Sequence, residues 1–370
     1  MKYWTTFNEA WTFTVLGYGT GSKAPGKPFA DIARYPYITG HNVLLAHAEA
    51  VEAFRADPTL TAAGAKIGIT NNWCAPRGRG PLFRPNSNPH ALLWSAGRPA
   101  AAPALVSKAM SPPPPPIVIP SSPPRSDFTE PGSSSAEDIA AAERVNEWWL
   151  AWFTDPIWLG HYPASMVQKL GDRLPSFSAS EAAKLKGSAD FFGLNHYGSR
   201  FATHAPSPAG YGVAGSGLEA SYWGDFEADT WTTAEMPTAA SVWLFSVPWG
   251  LRKLLNWVDQ RYAHPPIYVT ENGWSTPGEE SAQEGVVDDG RVLFYHNYTG
   301  EVQRAIVEDG GVRPPAPSWC RPCMLACFLI EGGTPSGLLV DGGTTQRDRS
   351  KRSQQATAAG DRSTPPRHAA

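Results

Sequence analysis

The chain has 370 residues, a formal net charge of -3 and 18% charged residues. That length can bury a large core and fits an α/β barrel of roughly 250 residues or more as one domain. The small charge speaks against nucleic acid or an acidic membrane surface as partner, and no apolar run is long enough to span a bilayer.

The predicted elements begin with a short strand over Trp4 to Asn8. A Gly/Pro/Lys loop follows from Gly17 to Pro28, then a helix through His41 and His47 to about Phe54, and a second strand over Lys66 to Thr70. Helices set between short apolar runs predict a parallel α/β sheet. From residue 73 to about 125, Pro and Arg accumulate, Pro112 to Pro116 is unbroken, and no helical or strand period survives. Such a stretch cannot bury enough apolar surface to order itself, so a disordered or polyproline-like excursion is expected. A structureless segment of that length is foreign to a compact domain.

Regular structure is expected to resume at Ser134-Ser135-Ala136-Glu137, a capping-box pattern opening a helix to about Phe153. Trp148, Trp149, Trp152 and Phe153 crowd its apolar end. Asp190 to Tyr197 reads as a strand ending in polar groups, Val247 to Tyr262 as a helix, and Pro266 to Thr270 as the strand that delivers Glu271. A further helix is predicted from about Arg291 to Val307. After Gly311 come Pro314-Pro315-Ala316-Pro317, a Cys-rich patch, and a Gly/Ser/Arg/Thr tail expected to be disordered to Ala370.

Two short motifs carry the chemistry. Thr6-Phe7-Asn8-Glu9-Ala10 and Tyr268-Val269-Thr270-Glu271-Asn272-Gly273 each place one carboxylate at the polar end of an apolar run. A carboxylate at the end of a buried strand is costly to desolvate, which points to chemistry rather than packing. Two on different strands of one sheet are what glycoside hydrolysis needs, one to donate a proton and one to attack. The competing reading is a pair of salt-bridged strand ends.

Other candidates are weaker. His41 and His47 are six residues apart and share no helix face, so they read as structural. Cys320, Cys323 and Cys327 have metal-like spacing but no second half to complete a site. The basic tail (Arg347, Arg349, Lys351, Arg352) reads as a solvated end. No metal or organic cofactor is expected. No charged start followed by an apolar stretch opens the chain, so a cytoplasmic location is expected, and the sequon Asn297-Tyr298-Thr299 is read as idle.

Several motifs in one order resemble glycoside hydrolase family 1, the retaining β-glucosidase family. Lys2-Tyr3-Trp4-Thr5-Thr6-Phe7-Asn8-Glu9 is similar to the family's fourth-strand motif, and Gly40 to Ala48 to the helix after it. Lys66 to Thr70 resembles the fifth strand. Asp155-Pro156-Ile157, Gly160 and Tyr162-Pro163 match the stretch after the next helix. Phe192-Gly193-Leu194-Asn195-His196-Tyr197 resembles the sixth strand, and Tyr268 to Trp274 the nucleophile strand.

The resemblance implies a (β/α)8 TIM-barrel fold, with Glu9 as general acid/base and Glu271 as nucleophile. It implies that Asn8 bonds the sugar 2-hydroxyl, that Tyr197 donates to Glu271, that Trp243 stacks on the aglycone, and that Asn195 shapes the same pocket. Ionised Glu271 would raise the pKa of Glu9 and keep it an acid until the glycosyl-enzyme forms. The implied substrate is a β-glucoside or short β-linked oligosaccharide.

Only the family's strands four to seven are recognisable. Gly311-Val312-Arg313-Pro314-Pro315 stands where the eighth-strand motif belongs, and Ala10 replaces the Pro after the acid glutamate. The expected organisation is a barrel segment over 1–72 (strands four and five), a Pro-rich insertion over 73–125, a second barrel segment over 126–310 (strands six and seven), and a tail over 311–370. A half-barrel carrying both glutamates but unable to close is the competing, non-catalytic reading.

Removing 73 to about 125 joins Gly68-Ile69-Thr70-Asn71-Asn72 to Ser126-Asp127-Phe128 in family-like order, as a translated intron would. Sequencing the transcript is expected to find a dominant message without those codons; a dominant message that retains them would show the segment to be genuine coding sequence.

Overall fold

Four strands lie side by side and all run in one direction. The computed structural model describes residues 1–26, 32–73, 128–206, 221–278 and 281–310, all within the unit Met1–Glu331. Among these residues the strands are β1 (Tyr3–Asn8), β2 (Lys66–Trp73), β3 (Thr129–Pro131), β4 (Phe192–His196), β5 (Arg200–His204), β6 (Ala228–Trp231) and β7 (Ile267–Glu271). The helices are α1 (Tyr35–Ala56), α2 (Pro58–Ala62), α3 (Ala136–Asn146), α4 (Trp152–Trp158), α5 (Ala164–Leu170), α6 (Ala179–Leu185), α7 (Tyr222–Asp225), α8 (Pro248–Arg261), α9 (Ala282–Val286) and α10 (Asp289–Val307). The main sheet has the order β1-β2-β4-β7, every pairing parallel. This is half of the strand complement of a (β/α)8 barrel.

Side-chain choice follows the two faces of this sheet. Ile67 and Ile69 of β2 alternate with Gly68 and Thr70, and Phe192 and Leu194 of β4 alternate with Gly193. The glycines allow close approach: a Cβ on Gly193 would lie 2.5 Å from Thr70 Oγ1, and one on Gly68 would lie 2.7 Å from the Phe191 carbonyl oxygen. β4 is buried along its whole length. β1 differs from expectation. It pairs with β2 alone among the described residues, and Tyr3 and Trp4 are 53% and 39% exposed. Glu9 therefore follows a strand at the edge of the sheet rather than a buried one.

Helix α1 is tied to the sheet and to the later chain by its aromatic and histidine contacts. Trp4 meets Phe54 of α1 edge-on at 5.9 Å, and Thr6 Oγ1 shares a 2.7 Å hydrogen bond with His47 Nδ1. His47 Nε2 shares another, of 3.1 Å, with Ser188 Oγ. His41 instead stacks on Phe177 at 4.6 Å and bonds the Tyr162 hydroxyl at 3.0 Å. Each histidine thus ties its helix to a different neighbour.

Three elements depart from the predicted ones. The helix after the insertion is capped by Ser135, whose hydroxyl accepts from Asp138 N–H at 3.1 Å, one residue later than the capping-box reading. It also runs past Phe153, through a π turn at Glu147–Ala151 and on to Trp158 in α4. Trp11 stacks on Trp149 at 3.8 Å, and Trp148, Trp149 and Trp152 are fully buried. Residues Thr12–Gly19 form a second π-helical segment where a loop was expected from Gly17. A small second sheet, β3-β5-β6, was not foreseen: β3 and β6 have only three and four residues, and β5 carries no apolar run like those of β4 and β7.

Asp155 anchors α8 to α4. It is 1% exposed, receives Arg261 Nε and Nη2 at 2.7 Å each, and accepts from the Tyr262 hydroxyl at 2.8 Å. A buried carboxylate is tolerated here because a bidentate guanidinium and a hydroxyl satisfy it. The sequence segments 74–127 and 311–370, with all four cysteines, lie outside the described residues.

His47 generates a pH test. Burial, helped by the charge of Arg55 and opposed by hydrogen bonding at Ser188, pushes its pKa down to about 4. The unfolded chain takes up this proton near pH 6.5, the folded chain only near 4, so stability is full above 6.5 and falls between those values. His196, pushed down to about 3 by burial, acts in the same sense. Urea unfolding at pH 7.5 and 4.5 is expected to show a loss on acidification that His47→Asn reduces by about 2–3 kcal/mol.

Candidate active site

The ends of β1, β2, β4 and β7 carry Asn8 and Glu9, Asn71 and Asn72, Asn195 and His196, and Glu271 and Asn272. In a parallel sheet these ends share one face, where parallel α/β folds place their reacting groups. Asn8 pairs in register with Thr70, and Asn195 with both Asn72 and Glu271. β2 and β4 therefore lie between the two glutamate strands, with β4 next to the one that carries Glu271.

Asn195 bridges the two glutamate strands. It is fully buried, and its Nδ2 donates to Asn8 Oδ1 at 3.0 Å and to Glu9 Oε1 at 3.1 Å. Its Oδ1 accepts from Thr270 Oγ1 at 2.6 Å, next to Glu271. The amide is thereby fixed with its donor side toward Glu9. Glu271 Oε2 accepts from the Tyr197 hydroxyl at 2.9 Å. The Tyr197 ring meets Trp243 edge-on at 5.6 Å, and Trp243 is 36% exposed.

Glu9 has φ +56°, a left-handed conformation that costs a non-glycine residue about 1–2 kcal/mol. The turn is held on both sides: Glu9 N–H donates to Thr70 O and Thr12 N–H to Glu9 O, each at 2.9 Å. Next to the other glutamate, Asn272 Nδ2 donates to His196 O at 2.6 Å, and the Tyr295 hydroxyl of α10 donates to Asn272 O at 3.1 Å. Burial raises the Tyr295 pKa, so that phenol keeps the proton it donates. Burial keeps His196 neutral beside this site. Trp274 stacks on Phe294 of α10 at 5.5 Å, which ties the segment after Glu271 to a helix.

All six residues singled out in the sequence fall on this face. Asn8, Glu9 and Asn195 form one bonded group, and Tyr197, Glu271 and Trp243 form another. Sequence reading missed Thr12, which donates to Glu9 Oε2 at 3.0 Å, Asn72, which donates to Thr12 Oγ1 at 2.7 Å, and Thr270. Asn72 lies just past the predicted end of its strand, and Thr12 leaves no periodic signal because it opens a π turn.

Two carboxylates on separate strands of a parallel α/β half-barrel, each held by amide or hydroxyl donors, are the groups a glycosidase site uses. The comparisons agree. The family model described as Glycosyl hydrolase family 1 matches residues 1–82 and 121–313, and the chain belongs to that family. It is 34% identical to Beta-glucosidase 4 of Oryza sativa subsp. japonica over 318 residues, covering 85% of this chain and 53% of that protein. It is 33% identical to Beta-glucosidase 1B of Phanerodontia chrysosporium over 323 residues, covering 84% and 47%. Among solved structures, a GH1 beta-glucosidase from the fungus Humicola insolens in complex with glucose superposes with a TM-score of 0.63 at 35% identity, covering 85% of this chain and 56% of that one. A rice beta-glucosidase superposes with a TM-score of 0.63 at 28% identity. The chain spans about half the length of the curated relatives it matches.

Asn195→Ala removes one donor group and one acceptor that three side chains share. Chemical denaturation is expected to register a loss of about 1–3 kcal/mol, typical of stranding buried polar partners; an unchanged midpoint would mean that water replaces the amide without cost.

Proposed function

We propose that this chain carries the two catalytic carboxyl groups of a retaining β-glucosidase acting on a β-glucoside or short β-linked oligosaccharide. The observation that carries this reading is the bonded path from Glu9 through Asn195 and Thr270 to the strand end bearing Glu271. It supports the reading because it links the strand ends that bear Glu9 and Glu271, in a chain of the matching family.

In this reading Glu271 attacks the anomeric carbon while Glu9 gives its proton to the departing glycosidic oxygen. Tyr197 donates to Glu271 Oε2, which fixes that oxygen and leaves the other to attack. Loss of the Glu271 charge in the glycosyl-enzyme removes its effect on Glu9, which then accepts a proton from the attacking water. Asn8, set beside Glu9 by Asn195, is in place to bond the 2-hydroxyl. The exposed Trp243 edge beyond Tyr197 is in place to meet the leaving group. Double displacement of this kind calls on the two carboxyl groups alone.

Purified chain is expected to hydrolyse an aryl β-glucoside with retention of configuration. Glu271→Gln is expected to lower kcat/KM by at least ~1,000-fold, as loss of a nucleophile does. Turnover that survives that substitution overturns the assignment of Glu271. A cooperatively folded chain without turnover overturns the activity.

A further inference from the structure

Glu9 meets a hydroxyl that neither glutamate motif contains. Thr12 Oγ1 donates to Glu9 Oε2 at 3.0 Å, and the same oxygen accepts from Asn72 Nδ2 at 2.7 Å. Asn72 is 2% exposed at the end of β2, and Thr12 is half-buried in the first residue of the π segment Thr12–Gly19. We propose that Thr12, oriented by Asn72, is a positioning residue that holds the Glu9 carboxylate and sets the balance between its two protonation states. The inference rests on the reading of Glu9 as acid/base.

A hydroxyl has one proton and two lone pairs. With one lone pair taken by the Asn72 amide, the Thr12 proton is left to point at Glu9, where it stabilises the charged form and lowers the carboxyl pKa. When Glu9 carries its own proton, the second lone pair of Thr12 accepts from it. No proton passes along the path; the Thr12 proton stays on Oγ1 throughout, and only its direction changes. A hydroxyl that can donate or accept therefore suits Glu9 in both halves of a double displacement. An acid/base group needs this, because it must be protonated before the first step and ionised before the second.

Geometry makes the hold two-sided. Asn195 donates to Oε1 from β4 while Thr12 donates to Oε2 from the turn after β1. Neither oxygen can rotate away without losing a bond. The structural role of Thr12 in the turn is separable: its backbone N–H donates to Glu9 O at 2.9 Å, and a valine retains that bond. Asn72 bonds that hydroxyl from a different strand, so substituting both residues separates an effect that runs through Thr12 from one that runs through its register neighbour Asn195.

The test reads Glu9 itself in the intact chain. Carbon-13 in glutamate carboxyl groups gives a titration for Glu9, assigned by the signal that Glu9→Gln removes. Thr12→Val is expected to raise the Glu9 midpoint by about half a pH unit or more, the effect of losing one hydrogen bond to the charged form. Thr12→Ser is expected to restore it, and Thr12→Ala serves as the second hydroxyl deletion if the valine does not fold. Asn72→Ala is expected to raise the midpoint when Thr12 is present and to add nothing in the Thr12→Val background. An unmoved midpoint in both hydroxyl deletions, or an Asn72 effect that persists without the Thr12 hydroxyl, overturns the proposal. A shifted midpoint in a chain that hydrolyses no glucoside upholds the role of Thr12 and counts against the glycosidase reading alone.

Discussion

Parallel pairing on both sides of β4 is the constraint from which the site follows. A parallel sheet delivers every strand end to one face, and β4 is the strand that touches both β2 and β7. Register then does the fine placement. Because Asn195 lies level with Asn72 on one side and Glu271 on the other, a single buried amide reaches Glu9, Asn8 and Thr270 together. A shift of one residue would turn Asn195 to the helix face and leave the two carboxylates unconnected.

The rest of the structure protects that register. Gly68 and Gly193 let β2 and β4 approach without side-chain collision, and the Thr6–His47–Ser188 bonds fix β1 against α1. The bidentate Arg261–Asp155 pair locks α8, which precedes β7, onto α4. With β2 so placed, the Glu9 N–H bond to Thr70 O and the Thr12 N–H bond to Glu9 O hold the strained Glu9 turn at its positive φ. The terminal strands of the sheet are less enclosed than β4: β1 is mostly exposed and β7 half-buried along its length. In a closed barrel both would be flanked on each side.

Much of the site was legible because its residues end apolar runs. Glu9 and Glu271 stand out as carboxylates where a strand should stop, and Asn195 and Tyr197 follow in the same way after Phe192 to Leu194. The order of these motifs carried the barrel fold. What escaped was either too short or too irregular for periodicity: the β3-β5-β6 sheet, the two π segments, and the extension of the Trp-rich helix through Pro156. The Ser135 cap was displaced by one residue because Asp138, not Glu137, turns its backbone to the hydroxyl, while its side chain is taken by Ser133 and His204.

By itself the amino-acid sequence determined which residues could do chemistry and which strands would carry them, since strand ends and helix faces are written in local patterns of apolar and polar residues. The partners of those residues were decided only in three dimensions. Thr12 reaches Glu9 locally, across the turn closed by its N–H to Glu9 O, but Asn72 reaches Thr12 from a strand 60 residues away in the chain. Thr270 orients Asn195 because β7 pairs with β4 in one register. Hydrogen bonds of that range depend on how the strands are laid side by side, and no local pattern encodes them.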